Sequence, residues 1–216
     1  MSIISCGNEH LDRVLFSQPS SLLLYGSEGV GKTNLVLTII KLSSPSIALY
    51  ISTEGSNYIE RANQLGLLER DDVLFAEALD EAHLAQLLAR ASTVLKKHSL
   101  LVIDSLNYHY RGEVRGIESL RFFLSMLSFL KQLSQNGVYV VATAQVREGE
   151  NGRVEIPGMQ LLIPWADVVA RVDRTGDKRI LTVEKPVNIV AEFRITNHGI
   201  EWINVYQESC QRATGT

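Results

Sequence analysis

The sequence predicts an α/β domain: a mostly parallel central sheet with helices on both faces, continued at its C-terminal end by antiparallel β-hairpins. Three observations predict it. Short runs of apolar and β-branched residues alternate with longer amphipathic segments through the first two thirds of the chain. Those short runs are hydrophobic almost without interruption, as strands buried on both faces are. After Gln145 the texture changes to polar loops and strand pairs separated by glycine turns.

The elements follow in order. "SLLLYG" (21–26), "SIALYIST" (46–53), "DVLFAEA" (72–78), "SLLVIDS" (99–105) and "GVYVVATAQ" (137–145) read as strands. Between them, residues 31–42, 56–65, 80–97 and 116–134 carry helical periods. Asp80 fits an N-cap ahead of "EAHLAQLLARASTVLKK", because its carboxylate can accept the first free amide protons. Strand and helix in repetition is the doubly wound pattern. "VREGENGRVEIPG" reads as a polar, glycine-bearing loop, and "WADVVARVDRTGDKRILTVEKP" as two strands around Arg174-Thr175-Gly176-Asp177. "IVAEFRIT" and "GIEWINVY" form a further pair around Asn197-His198-Gly199. Residues 1–206 are expected to form a single domain and 207–216 a frayed tail.

Composition narrows the function classes. A chain of 216 residues with 45% hydrophobic content suits one domain with a sizeable core. A net charge of −3 argues against bulk attraction to nucleic acid and leaves room for a local basic patch. The two cysteines, Cys6 and Cys210, stand near opposite ends. They form neither a metal spacing nor a disulfide framework, which points to a reducing, cytoplasmic location. No apolar run approaches the ~20 residues that a membrane helix needs. The start, "MSIISCGNEH", lacks the features of a signal peptide.

The chemistry begins at "LLLYGSEGVGKTNLVLTII". Gly26, Ser27, Glu28, Gly29, Val30, Gly31, Lys32 and Thr33 satisfy GxxxxGK[ST], with Asn34 next in the following turn. Glycines let the backbone curl so that several N–H groups point at one phosphate. The helix that follows adds the partial positive charge of its N-terminus. Lys32 can reach the β- and γ-phosphates, and the Thr33 hydroxyl can hold Mg²⁺. At average glycine usage a chance match is roughly a one-percent event in such a chain. No guanine-reading NKxD motif is present, so ATP is the expected nucleotide.

Three more residues stand at strand ends, where ligands of parallel sheets bind. Asp104 closes "LLVID", placed to hold Mg²⁺ or its waters. Glu54 follows "ALYIST", placed to deprotonate an attacking water; the alternative is a surface glutamate. Gln145 closes "VYVVATAQ", where an amide can sense the γ-phosphate and signal to the next loop.

Together these residues resemble the RecA/RadA recombinase family, most closely its short archaeal paralogues of the RadB type. "LYISTEG" is similar to the family's strand ending in Thr-Glu, and "LLVIDSLNYHYRGE" to its Walker B strand and sequel. "VYVVATAQV" resembles the strand ending in Gln, and "AEFRITNHGIE" the C-terminal Phe-Arg-Ile-Thr and Gly-Ile. The resemblance spans about residues 6–202 and implies a RecA-like P-loop NTPase core that binds ATP and Mg²⁺. It implies Lys32 on phosphate, Thr33 and Asp104 on metal, Glu54 as catalytic base and Gln145 as sensor. Arg61, in "YIERA", stands where the family sets an arginine against adenine, or is an exposed helix arginine. In the family a neighbouring protomer caps the ATP. Here "VEKP" stands at that cap, with Pro186 matching and Glu184 replacing Asp.

The departures shape the expected function. The P-loop opens at Gly26, so neither the family's N-terminal DNA-binding domain nor its linker anchor is expected ahead of it. Poor filament formation by the chain alone is the expectation. Both loops that touch DNA in recombinases are short, and Met159 stands where recombinases carry a coupling histidine. Arg111, Arg115 and Arg121, beside Tyr108, His109 and Tyr110, and Arg147 with Arg153, can contact phosphates and stack on single-stranded bases. Interleaved glutamates make a solvated face the alternative. In "GIESLRFFLSMLSFLKQLSQ", Leu120, Leu124 and Leu127 read as a core stripe, and Phe122, Met126, Phe129 and Leu133 as a second. The second stripe is expected either under the C-terminal hairpins or as a docking face.

The reading that results is a recombinase paralogue that binds ATP, hydrolyses it slowly and modulates a RecA/RadA-type recombinase or another paralogue subunit on single-stranded DNA. A KaiC-like regulatory ATPase acting through protein contacts is the alternative. A small-molecule P-loop kinase is a third, without an evident arginine-rich lid.

Overall fold

The structure, a computed structural model, describes residues 3–111, 117–148, 154–155 and 158–207. Its frame is a nine-stranded sheet. Strands β1 (Ser21–Gly26), β2 (Ala48–Ser52), β3 (Val73–Glu77), β4 (Leu100–Asp104), β5 (Tyr139–Gln145) and β8 (Val168–Thr175) pair in parallel. Strands β9 (Lys178–Lys185), β10 (Ile189–Thr196) and β11 (Gly199–Gln207) continue the sheet antiparallel. The order across it is β11-β10-β9-β8-β1-β5-β4-β2-β3. Two short strands, β6 (Arg147–Glu148) and β7 (Val154–Glu155), pair apart from it.

The uninterrupted hydrophobicity of the parallel strands has the expected cause. In β1, Leu22 and Leu24 enter one core and Leu23 and Tyr25 the other. The first core lies under α1 (Glu9–Leu15), α2 (Lys32–Leu42) and α3 (Ile59–Gln64). The second lies under α4 (Glu81–Val94), α5 (Ile117–Gln135) and α6 (Met159–Trp165). Asp80 caps α4 as expected, its carboxylate accepting the His83 N–H at 2.7 Å.

Helices α1 and α6 are findings beyond the sequence reading. Asn8 caps α1 by accepting the N–H groups of His10 and Leu11. Both helices have seven residues, too few for a 3.6-residue period to stand out. The C-terminal hairpins fold over α2. Thr38 accepts the Ile200 N–H at 3.1 Å, and Lys41 donates to the His198 carbonyl at 2.8 Å. Sheet below and hairpin above explain why Leu35, Val36, Leu37, Ile39 and Ile40 are all buried, without a polar stripe among them.

Helix α5 corrects an expectation. It packs on the opposite face from the hairpins: Phe123, Met126, Leu127, Leu130 and Leu133 join the core of α4 and α6, whereas Val172, Leu181, Val183 and Phe193 of the hairpins join that of α2. The stripe drawn through Leu120, Leu124 and Leu127 is also corrected. Leu120 and Leu124 are 36% and 41% exposed, because α5 turns its Phe123–Leu130 side to the sheet. Strand β11 runs through Gln207, the first residue of the expected tail at 207–216, and 208–216 lie outside the described residues.

Candidate functional site

All six parallel strands point their C-terminal ends to one edge, and Lys32, Thr33, Glu54, Asp104 and Gln145 converge there. A cleft of about 190 Å³ is lined by Glu28, Gly29, Gly31, Lys32, Thr33, Asn34, Glu54, Asp104 and Gln145. The loop geometry follows from its glycines. A Cβ on Gly26 would lie 2.1 Å from the Val172 carbonyl oxygen of β8. Gly31 has φ +106°, and a Cβ there would lie 2.9 Å from Ile195 Cδ1. Val30 is buried beneath the loop, while Ser27 is exposed on it. Gly31 starts α2 with no side-chain cap, so the helix N-terminus faces the cleft.

Lys32 is buried, and its ammonium donates to the carbonyls of Gly26 at 2.9 Å and Ser27 at 2.8 Å. The ammonium thus sits inside the loop it serves. Thr33 donates to Asp104 Oδ2 at 2.7 Å. Tyr50 donates to the same oxygen at 2.8 Å, and Thr143 donates to Oδ1. Two hard oxygen ligands therefore meet at the end of β4, the donor set that Mg²⁺ prefers. Thr33 and Asp104 would hold the ion, which, when bound, would neutralise phosphate charge. Among the described residues no group of three or more His, Cys, Asp or Glu side chains is placed to hold a metal by itself.

The second half of the site is Glu54. Its Oε1 accepts the Ser105 hydroxyl at 2.6 Å. The Gln145 amide donates to Oε1 at 2.8 Å and to Oε2 at 2.6 Å. Strand pairing makes this meeting possible: Ser52 sits beside Asp104 and Gly26 beside Gln145.

Tyr50, Thr143 and Ser105 escaped the sequence reading as partners of the site. The signal for Thr143 was present: it is the one hydroxyl inside "VVATA", two residues before Gln145, so it shares that residue's face. Tyr50 alternates in the same way with Ser52. Burial, then the neighbouring Asp104 carboxylate, push the Tyr50 hydroxyl well above the usual phenol range. Tyr25 is raised by burial and by its bond to Glu184. The folded state thus holds both phenols protonated. Their stabilisation is complete below the unfolded value, about pH 10, and fades as pH rises toward the higher folded values. Thermal melts should show the wild type losing Tm above about pH 10, and Tyr50→Phe losing less over the same range.

Other predicted residues lie elsewhere. Arg61 is outside the cleft lining; it donates to the Thr196 and Gly199 carbonyls at 2.6 and 3.4 Å and so ties α3 to the β10–β11 turn. Pro186 follows β9 at the end where Lys185 pairs with Val169, the edge of the sheet away from the cleft. Glu184 accepts the Tyr25 hydroxyl at 2.7 Å, with Arg171 at 3.8 Å. Arg111 ends a short 3-10 turn, His109–Arg111, and Arg147 opens β6. Arg115 and Arg153 lie outside the described residues. Met159 opens α6 and is exposed.

A sheet of this order, with a phosphate loop after β1 and carboxylates at the ends of neighbouring strands, defines a RecA-like P-loop nucleotide-binding domain. The Rad51 family model matches residues 1–163, and the chain belongs to that family. It is 31% identical over 196 residues to the DNA repair and recombination protein RadB of Methanococcus maripaludis strain C5, covering 84% of this chain and 90% of that one. RadB of Pyrococcus furiosus is 26% identical over 217 residues, covering 92% and 95%. A crystal structure of the RadB recombinase superposes with a TM-score of 0.74 at 23% identity, covering 93% of this chain and 99% of that one, which establishes the shared fold.

Proposed function

We propose that this chain is a RadB-like recombinase paralogue acting in DNA repair and recombination: it binds ATP with Mg²⁺, hydrolyses it slowly, and assists or regulates a RecA/RadA-type recombinase. One observation carries the reading: in a Rad51-family chain, Thr33 with Asp104 and Glu54 with Gln145 meet beside Lys32 in one cleft.

In hydrolysis, Glu54 takes a proton from water as the water oxygen bonds to the γ-phosphorus and the bond to the β,γ-bridging oxygen breaks, leaving ADP and phosphate. Lys32 and the loop N–H groups hold the phosphates. Gln145 donates to both oxygens of Glu54 and so holds the base in place. Its withdrawal toward the γ-phosphate would report nucleotide to the segment that follows β5. Two features support a slow rate: Met159 in place of a histidine, and Glu184 engaged within its own chain.

Single-stranded DNA contact, through Arg111, Arg115, Arg147 and Arg153, completes the proposal. Few phosphates would be neutralised, so log affinity should fall with log salt at a slope of roughly −2 to −3, from ~0.7 per contact. Gel shifts with and without ATP at several salt concentrations test it. No binding, alone or with a recombinase, would favour a regulatory ATPase that acts through protein contacts.

A further inference from the structure

The segment after β4 meets the chain at two points, at Gln145, where β5 ends, and at Gly158, just ahead of α6. Asn107 is fully buried. Its side-chain N–H donates to the Gln145 carbonyl at 2.9 Å, and its side-chain oxygen accepts the Gln145 N–H at 3.0 Å. A carboxamide carries one acceptor beside a donor, as a peptide group does, so it can stand in for a strand neighbour. Here it does: β4 pairs with β5 only as far as Ile103 and Ala142, and Asn107 serves Gln145 beyond that point. On the other side Gln145 pairs with Gly26 of the phosphate loop. The Gln145 main chain is therefore fixed between the phosphate loop and Asn107, while its side chain reaches Glu54.

Three residues further on, the Tyr110 ring stacks on Phe123 with centroids 4.1 Å apart. A Cβ on Gly158 would lie 3.2 Å from Tyr110 Cε1. The two ends of one short segment thus meet the chain at Gln145 and at Gly158. The Tyr110 N–H donates to the Asn107 carbonyl at 3.2 Å, which makes the segment one turn.

We infer that Asn107 is a positioning residue for hydrolysis: it sets the Gln145 amide against Glu54 and couples that contact to the segment leading to Arg111. The inference rests on the hydrolysis reading above. Asn107 belongs neither to the phosphate loop nor to the carboxylates, and its carboxamide reaches the site through the main chain of Gln145.

The test uses the full chain. In nucleotide-free protein, Asn107→Ala should speed hydrogen exchange at the Gln145 amide. In steady state it should lower kcat by about ten-fold or more, the scale for a displaced group at a reacting centre. KM should stay within about two-fold, since the phosphate loop is untouched. In a Gln145→Ala background the same substitution should change kcat by less than about two-fold, because the side chain it positions is gone. An unchanged kcat, or a loss of equal size in both backgrounds, overturns the inference. Should Asn107→Ala not fold, Asn107→Thr, whose hydroxyl replaces one bond at most, is measured instead with the same expectation. A wild type that binds ATP without hydrolysing it overturns the hydrolysis reading and this inference together. Wild-type turnover with unaffected variants overturns this inference alone.

Discussion

Replacing Lys32 with alanine abolishes ATP binding at micromolar concentrations. The substitution removes the buried ammonium placed among the loop glycines, together with its bonds to Gly26 and Ser27. Charge-assisted bonds of this kind contribute about 1.5–3 kcal/mol each, and losing those to two phosphates weakens affinity roughly 100-fold or more. Fluorescent-nucleotide titration or calorimetry checks the result, with a melt to confirm folding. Retained affinity would mean that ATP binds elsewhere or not through this loop.

Glu54→Gln is expected to bind ATP as the wild type does and to lose turnover by about 10²- to 10⁴-fold, the range for removing a general base. The change is nearly isosteric, and an amide oxygen can still accept the Ser105 hydroxyl. Phosphate release at saturating ATP, beside a binding titration, separates the two effects. Turnover near the wild-type rate would remove Glu54 from the role of base.

The parts of the site that could be read from the sequence are those whose chemistry is local. The phosphate loop needs its glycines, lysine and threonine within eight consecutive residues, so pattern and chemistry coincide. Asp104 and Gln145 were legible because parallel strands deliver their C-terminal ends to a common edge, and both close an apolar run. Tyr50, Thr143 and Asn107 were not singled out, since their partners lie 54, 39 and 38 residues away and only the strand register brings them in.

The fold divides in the same way. The parallel strands announced themselves by hydrophobicity on both faces. The orientation of α5 did not, because apolar residues occupy more than one of its sides and the pattern does not say which side meets the sheet. The hairpins were visible as strands, yet their closure over α2 depends on Thr38, Lys41 and Arg61 reaching one turn, contacts more than 130 residues apart in sequence. Arg61 shows the same limit from another side. It holds the Thr196 and Gly199 carbonyls, contacts that its local motif does not announce.

Under the proposed function, ATP bound in this cleft lets the chain act on a recombinase. The most direct measurement is the amount of a RadA-type recombinase held on single-stranded DNA, with ATP, in the presence of the wild type or of Lys32→Ala. The wild type is expected to change that amount, and Lys32→Ala to leave it at the level of the recombinase alone. Equal effects from both proteins, or no effect from the wild type, would contradict it.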